Sequence, residues 1–166
     1  MKKKVYVAAS FAYEDKEKTE QRKKEIEEVV SLIQEKNPDW NFYLPHKLKI
    51  PNAWDISLEE WSRAVYEHDV EELTNCDLVI FISYGKENNA GSVWEVGYVV
   101  GYQNGSDDYG DMGGCYPKEI MCIKMTNEPE SLMVSCSCNI ILKKEEIESY
   151  DWFNRPYYKT NLDKLS

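Results

Sequence analysis

The stretch Asp77-Leu78-Val79-Ile80-Phe81-Ile82 constrains the fold more than any other part of the chain. Five apolar residues follow one another without the polar alternation of a half-solvated strand. Such a run reads as a central parallel strand buried on both faces. A strand of that kind needs helices above and below it, and the flanking sequence supplies them. Residues 4–9 (KVYVAA) read as a strand. Residues 14–36 read as a helix with Ile26, Val29, Val30 and Ile33 on one stripe, halted by Asn37-Pro38. Residues 40–44 read as a second strand, and a loop with two prolines covers 45–56. Ser57 and Glu60 have the spacing of a capping box, which opens a helix over 58–75. A helix over 90–103, an exposed Gly- and Asp-rich loop over 104–118, and strands over 119–124 and 138–142 complete the pattern. The charged tail from 143 ends in aromatics (Tyr150, Trp152, Phe153, Tyr157, Tyr158). Strands alternating with helices predict an α/β fold: a flavodoxin-like, doubly wound, five-stranded parallel sheet with helices on both faces, as a single domain over 1–166. Ligands of such sheets sit beyond the carboxyl ends of the strands, so Ala9, Ser83 and Asn139 are expected to rim the site.

The formal net charge of −10 argues against a nucleic acid polymer or an anionic membrane as partner, because both are bound by clustered Lys and Arg. A small nucleoside in a local pocket remains compatible with it. The amino-terminal MKKKVYVAASF has too short an apolar part for a signal peptide, and Glu14 and Asp15 follow at once. No apolar run reaches membrane-spanning length. The expected location is cytoplasmic. The five cysteines, Cys76, Cys115, Cys122, Cys136 and Cys138, read as free thiols. Cys136-Ser-Cys138 is not a zinc spacing, and His46 and His68 lie far from it, so no metal is expected.

Within a chain that is 30% charged, the window NNAGSVWEVGYVVGYQ (88–103) holds one charge, Glu95. On a helix Glu95 shares a face with Tyr98, Val99 and Tyr102, and both sides of that helix are largely apolar. Composition leaves two readings of Glu95: an acid reaching the surface beside Tyr98, or a partly buried carboxylate in the first helical turn. Burial would raise its pKa, while the helix amino terminus would favour the ionised form. A carboxylate held in a dry pocket can act as a nucleophile. Gly91 permits close backbone approach at the helix start, where unpaired N–H groups attract anions or oxygen-rich ligands. No GxGxxG or Walker lysine pattern is present.

The segments VYVAASF, YEHDVEELTNCDLVIFIS, NNAGSVWEVGY, LMVSCSCNIIL and FNRPYY, in that order, resemble the nucleoside 2-deoxyribosyltransferase family from the first strand to about Tyr158. The resemblance implies a glutamate, Glu95 here, that attacks the anomeric carbon of a 2′-deoxynucleoside. The base leaves, a deoxyribosyl ester forms, and a second base attacks the same carbon. No cofactor is implied. The logic is that of a retaining glycosidase with a base in place of water. The same resemblance implies that Tyr6 orients the nucleophile and that Asp69 lies near the sugar and base. It further implies that Phe11 stacks near the base, and that Asn139, supplied by a neighbouring subunit, binds the 5′-hydroxyl. It implies a homo-oligomer built from dimers, up to a hexamer, acting on 2′-deoxynucleosides and free nucleobases. Asp77 reads as a structural residue at a strand entrance.

Asn89 departs from the pattern, since many members carry an aspartate there. An amide can donate to or accept from a base but cannot deliver a proton. Asp69 is then a candidate for that role. The chain also continues past Tyr158 as KTNLDKLS, so the terminal carboxylate that some members place in the site is not assigned here. Two other readings stand beside the transferase. One is a hydrolase of 2′-deoxynucleoside 5′-monophosphates, although the loop AASFAYEDKEK lacks a glycine or arginine suited to phosphate. The other is a non-catalytic nucleotide-binding module on the same fold.

Overall fold

The computed structural model describes residues 2–108 and 118–154. Five strands, β1 (Lys4–Ala9), β2 (Asn41–Tyr43), β3 (Leu78–Ser83), β4 (Glu119–Lys124) and β5 (Ile140–Lys143), form one sheet in the order β2-β1-β3-β4-β5. Every pairing is parallel, with Tyr6 opposite both Tyr43 and Val79. This is the doubly wound arrangement expected, with β3 at the centre and all six of its residues buried. Chain order reverses direction between β1 and β3, which makes that junction the switch point.

Four helices cover the sheet: α1 (Lys16–Lys36), α2 (Leu58–Asn75), α3 (Ala90–Asp108) and α4 (Leu132–Ser137). On one face Val5, Val7, Ile80 and Ile82 pack with Ile26, Val29, Val30 and Ile33 of α1 and with Ile147 and Trp152. On the other face Tyr6, Ala8, Val79 and Phe81 pack with Leu73 of α2, Val96 and Val99 of α3 and Val134 of α4. Period-two alternation along β1 thus sends Val5, Val7 and Ala9 one way and Tyr6 and Ala8 the other.

Local chemistry explains the element ends. Asp15 caps α1 by accepting from Glu17 N and Lys18 N, and the Ser57/Glu60 capping box opens α2 as its spacing predicts. Asp77 is structural: its Oδ2 accepts from Lys4 N at 2.7 Å, tying β1 to the entrance of β3.

Three expectations change. Helix α3 continues to Asp108, so residues 104–108 are helical where a loop was expected; residues 109–117, with Cys115, lie outside the described residues, as do Tyr157 and Tyr158. The short helix α4, absent from the sequence reading, fits between Ser131 and β5; Ser131 caps it by accepting from Val134 N. Finally, α3 is not enclosed on all sides: Gly97 and Gly101 are exposed with no atom within 4 Å of a Cβ built on either. An aromatic row runs along α3 through Trp94, Tyr98 and Tyr102 and is extended by Tyr66 of α2, with ring centroids 5.2–6.2 Å apart. Among the described residues no helix is long and apolar enough to cross a membrane.

Candidate active site

Tyr6 sits in the middle of β1, and its alternation sends the ring to the α2–α3 side, where it is fully buried. Its hydroxyl donates to Glu95 Oε1 at 2.9 Å. The other carboxylate oxygen, Oε2, is buried and has no partner among the described residues. Glu95 occupies the second turn of α3, not the first, because the helix begins at Ala90. The unpaired N–H groups belong to the first turn, so little of their field reaches the carboxylate. Burial therefore prevails. It lifts the Glu95 pKa to about 8, with the Tyr6 hydrogen bond opposing the rise and the Asp69 charge adding to it.

A second tyrosine–carboxylate pair lies alongside. Tyr43, the last residue of β2, donates to Asp69 Oδ1 of α2 at 2.6 Å. The rings of Tyr6 and Tyr43 are 5.3 Å apart, which joins the two pairs. Burial raises the Asp69 pKa, and the Tyr43 hydrogen bond partly offsets it. Both phenols are held far above their ordinary pKa, first by burial and then by neighbouring carboxylates, so they act as donors at all accessible pH. His68 stacks on Tyr43 with centroids 5.4 Å apart and a 16° tilt, and its Nδ1 is buried without a partner among the described residues. Two carboxylates with raised pKa, each oriented by a phenol and contributed by α2 and α3, form a site suited to acid, base or nucleophile chemistry.

The carboxyl edge beside these pairs is tied together by hydroxyls. Ser10, just past β1, accepts from Asn89 N at 2.6 Å, and its Oγ lies 2.8 Å from Ser92 Oγ. Asn89 is the residue preceding α3, and its Oδ1 accepts from Ser92 N at 3.0 Å, as a capping residue does. Gly91 is exposed in the first turn. A Cβ there would meet Asn89 Oδ1 at 3.5 Å, an ordinary contact, so no protein atom demands glycine at this position.

The structure thus brings Glu95, Tyr6 and Asp69 together and places Asn89 and Gly91 at the start of the same helix. Phe11 and Asn139 are placed elsewhere. Phe11 is half-buried against the α1-side core, with its ring 5.5 Å from His46. Asn139 precedes β5, at the amino edge of the sheet rather than the carboxyl rim. Its Oδ1 accepts from Ile120 N at 2.7 Å while its own N–H donates to Ile120 O. Asn139 therefore does not rim the carboxyl edge of its own sheet: a parallel strand enters at its amino end, and the side chain continues the β4 ladder there; its service to a neighbouring subunit's site belongs to the homo-oligomer proposal. Sequence reasoning missed Tyr43 and His68. Tyr43 looks like any strand aromatic, and its partner is 26 residues away. His68 adjoins Asp69, and that adjacency was the one available signal.

The arginine nearest the β1 loop is already engaged. Arg22 pairs with Glu25 at 3.1 Å and with Glu87, and its guanidinium lies 3.6 Å from the Tyr84 ring centroid.

The family model described as nucleoside 2-deoxyribosyltransferase matches residues 5–133. No curated protein matches the chain. Among solved structures, a 2-deoxyribosyltransferase from Bacillus psychrosaccharolyticus aligns at TM-score 0.68 and 22% identity, covering 93% of this chain and 96% of that one. A conserved protein from Enterococcus faecalis aligns at TM-score 0.56 and 14% identity, covering 99% and 96%. A CMP N-glycosidase from Clostridium botulinum aligns at TM-score 0.51 and 18% identity, covering 89% and 96%. At these identities the structural likenesses carry the fold, and the family match, spanning most of the chain and including every residue of the Tyr6–Glu95 and Tyr43–Asp69 pairs, carries the lineage: this chain belongs to the nucleoside 2-deoxyribosyltransferase family.

Proposed function

We propose that the protein transfers the 2-deoxyribosyl group between nucleobases through an ester on Glu95. The observation that carries this reading is the Glu95 carboxyl group: buried, aimed by Tyr6 through one oxygen, and left with a second oxygen that has no partner among the described residues. In its ionised form that oxygen attacks the anomeric carbon as the bond to the base breaks. The adjacent negative charge also favours an oxocarbenium-like transition state. The leaving base needs a proton. Asn89 has none to give, whereas Asp69, whose pKa burial raises against the opposing Tyr43 hydrogen bond, is the acid assigned to that task, in the microstate where the one proton shared by the Glu95–Asp69 pair rests on Asp69. In the second half-reaction an incoming base attacks the same carbon, Asp69 takes back the proton, and Glu95 is released. Gly91 and Asn89 line the approach at the start of α3. Assembly into a homo-oligomer belongs to the same reading, and the uncharged open stripe Val93, Gly97 and Gly101 is the face suited to it.

Hydrolysis of a nucleoside monophosphate is the second reading, favoured by the likeness to the CMP N-glycosidase. Against it stands Arg22, whose charge is satisfied by Glu25 and Glu87 and is not offered to a phosphate. Incubation with deoxyinosine and free adenine, followed by chromatography, separates the readings. New deoxyadenosine supports transfer. Base release from a deoxynucleotide without exchange supports hydrolysis, and no reaction with either would point to a binding module.

A further inference from the structure

We propose that His68 is a positioning residue for Asp69: its ring seats Tyr43, and Tyr43 occupies one carboxyl oxygen, so that the proton for the leaving base is carried on the other. This rests on the transferase reading above and specifies how its acid is held. Tyr43 needs such a support. It ends β2, a three-residue strand at the edge of the sheet that pairs with β1 alone. Its side chain is half-buried, and Pro45 follows soon after. A short edge strand does little to fix the rotamer of its last residue, so neighbouring rings must do so. Tyr6 lies against the Tyr43 ring at 5.3 Å and 31°, and His68 stacks on it at 5.4 Å and 16°, the near-parallel contact of the two. Consecutive helical residues point about 100° apart. Tyr43 spans one such pair of α2, with its ring on His68 and its hydroxyl donating to Asp69 Oδ1 at 2.6 Å. A ring that leaves His68 takes the hydroxyl away from Asp69.

The imidazole does not use its polarity to hold the fold together, since its Nδ1 is buried without a partner among the described residues. What it gives Tyr43 is a flat face. The consequence falls on Asp69. With Oδ1 engaged by a donor, and no hydrogen bond to Oδ2 among the described residues, the acid proton belongs on Oδ2. As the C1′–N9 bond of a purine deoxynucleoside breaks, its electron pair goes to the base, N7 takes the Oδ2 proton, and Glu95 forms the ester.

The test uses the intact protein, adenine as acceptor and two donors. Deoxyguanosine needs a proton on its leaving base. 7-Methyl-2′-deoxyguanosine already carries a positive charge on that ring, and its base leaves without one. The readout is kcat/KM for the methylated donor divided by kcat/KM for deoxyguanosine. His68→Ala removes the stack, and the ratio should rise about tenfold, as should that of Tyr43→Phe, which lacks the hydroxyl. His68→Phe keeps an aromatic face and removes the orphaned nitrogen, so its ratio should stay within about twofold of wild type. Both donors meet the same protein, so a general loss of folded enzyme does not imitate a changed ratio. An unchanged ratio in His68→Ala, or a ratio in His68→Phe as high as in His68→Ala, overturns the proposal. If the wild type consumes neither donor, the transferase reading is the one that fails, and NMR titration of the Asp69 carboxyl carbon decides the positioning by itself. The titratable groups around Asp69 are Tyr43 of β2, Tyr6 of β1, Glu95 of α3, and His68 and Glu72 of α2. Both His68 variants lose the imidazole charge, which lowers the Asp69 pKa, and His68→Ala alone loses the Tyr43 hydrogen bond, which lowers it too. A larger upward shift in His68→Ala than in His68→Phe supports the proposal, and equal shifts overturn it.

Discussion

Glu95→Gln tests whether the carboxylate at the centre of the site is as enclosed as the geometry indicates. Glutamine keeps the shape and can still accept from the Tyr6 hydroxyl through its own oxygen, so the packing around Val96 and Val99 is preserved. What it removes is titration. In the folded protein Glu95 titrates near pH 8, against an ordinary value of 4.5. A folded pKa above the unfolded one means that the protonated form stabilises the fold: that contribution is complete below pH 4.5 and is lost as pH rises through about 8. At 1.36 kcal/mol per pH unit, the full displacement amounts to roughly 5 kcal/mol. The stability of Glu95→Gln relative to wild type should therefore increase by several kcal/mol between pH 4.5 and 8. Asp69 and the other titrating groups are common to both proteins and largely cancel in the difference. Urea unfolding of both proteins at half-unit pH intervals measures it. Base exchange should be abolished in the same variant. A stability difference that stays flat from pH 5 to pH 8.5 would falsify the enclosed carboxylate and remove the physical basis of the site.

Tyr6→Phe deletes the hydrogen bond to Glu95, and kcat/KM should fall roughly ten- to a hundredfold. The same change lifts the Glu95 pKa further, so the pH profile of kcat/KM, which rises towards pH 8 in the wild type, should move to higher pH; an unmoved profile contradicts the assigned contact. Asn139→Ala leaves the buried Ile120 N–H without its acceptor and should cost about 1–3 kcal/mol in denaturant unfolding. Gly85 has φ of +63°, and a Cβ there would lie 2.7 Å from Glu128 Oε2, so Gly85→Ala should cost about 1–3 kcal/mol. Gly91→Ala, on a helix with room for the methyl, should be neutral or stabilising by up to about 1 kcal/mol. Thermal unfolding of the two glycine variants side by side checks the contrast.

The fold was legible because its signals are local. The apolar run at β3, the Ser57/Glu60 box and the Asn37-Pro38 stop each act within a few residues, and the helices and strands they mark fall within about two residues of the expected bounds. The carboxyl end of α3 was misread because Gly and Asp lower helix propensity, whereas the helix runs on to Asp108. The site was legible in part. Glu95 stood out as a lone charge in an apolar window. Tyr43 did not, since only the parallel register of β2 beside β1 brings its ring against Tyr6 and its hydroxyl to Asp69. The edge on which Asn139 lies was not legible either: a residue just before a strand lies at the amino edge of its own sheet.

The most direct test of the central claim is intact-protein mass spectrometry after brief incubation with a 2′-deoxynucleoside and no acceptor base, followed by acid quench and peptide mapping. A mass gain of one deoxyribosyl group is expected on the peptide containing Glu95, removed on adding a free base and absent from Glu95→Gln. Base exchange proceeding with no such adduct, or with the adduct on another residue, would contradict it.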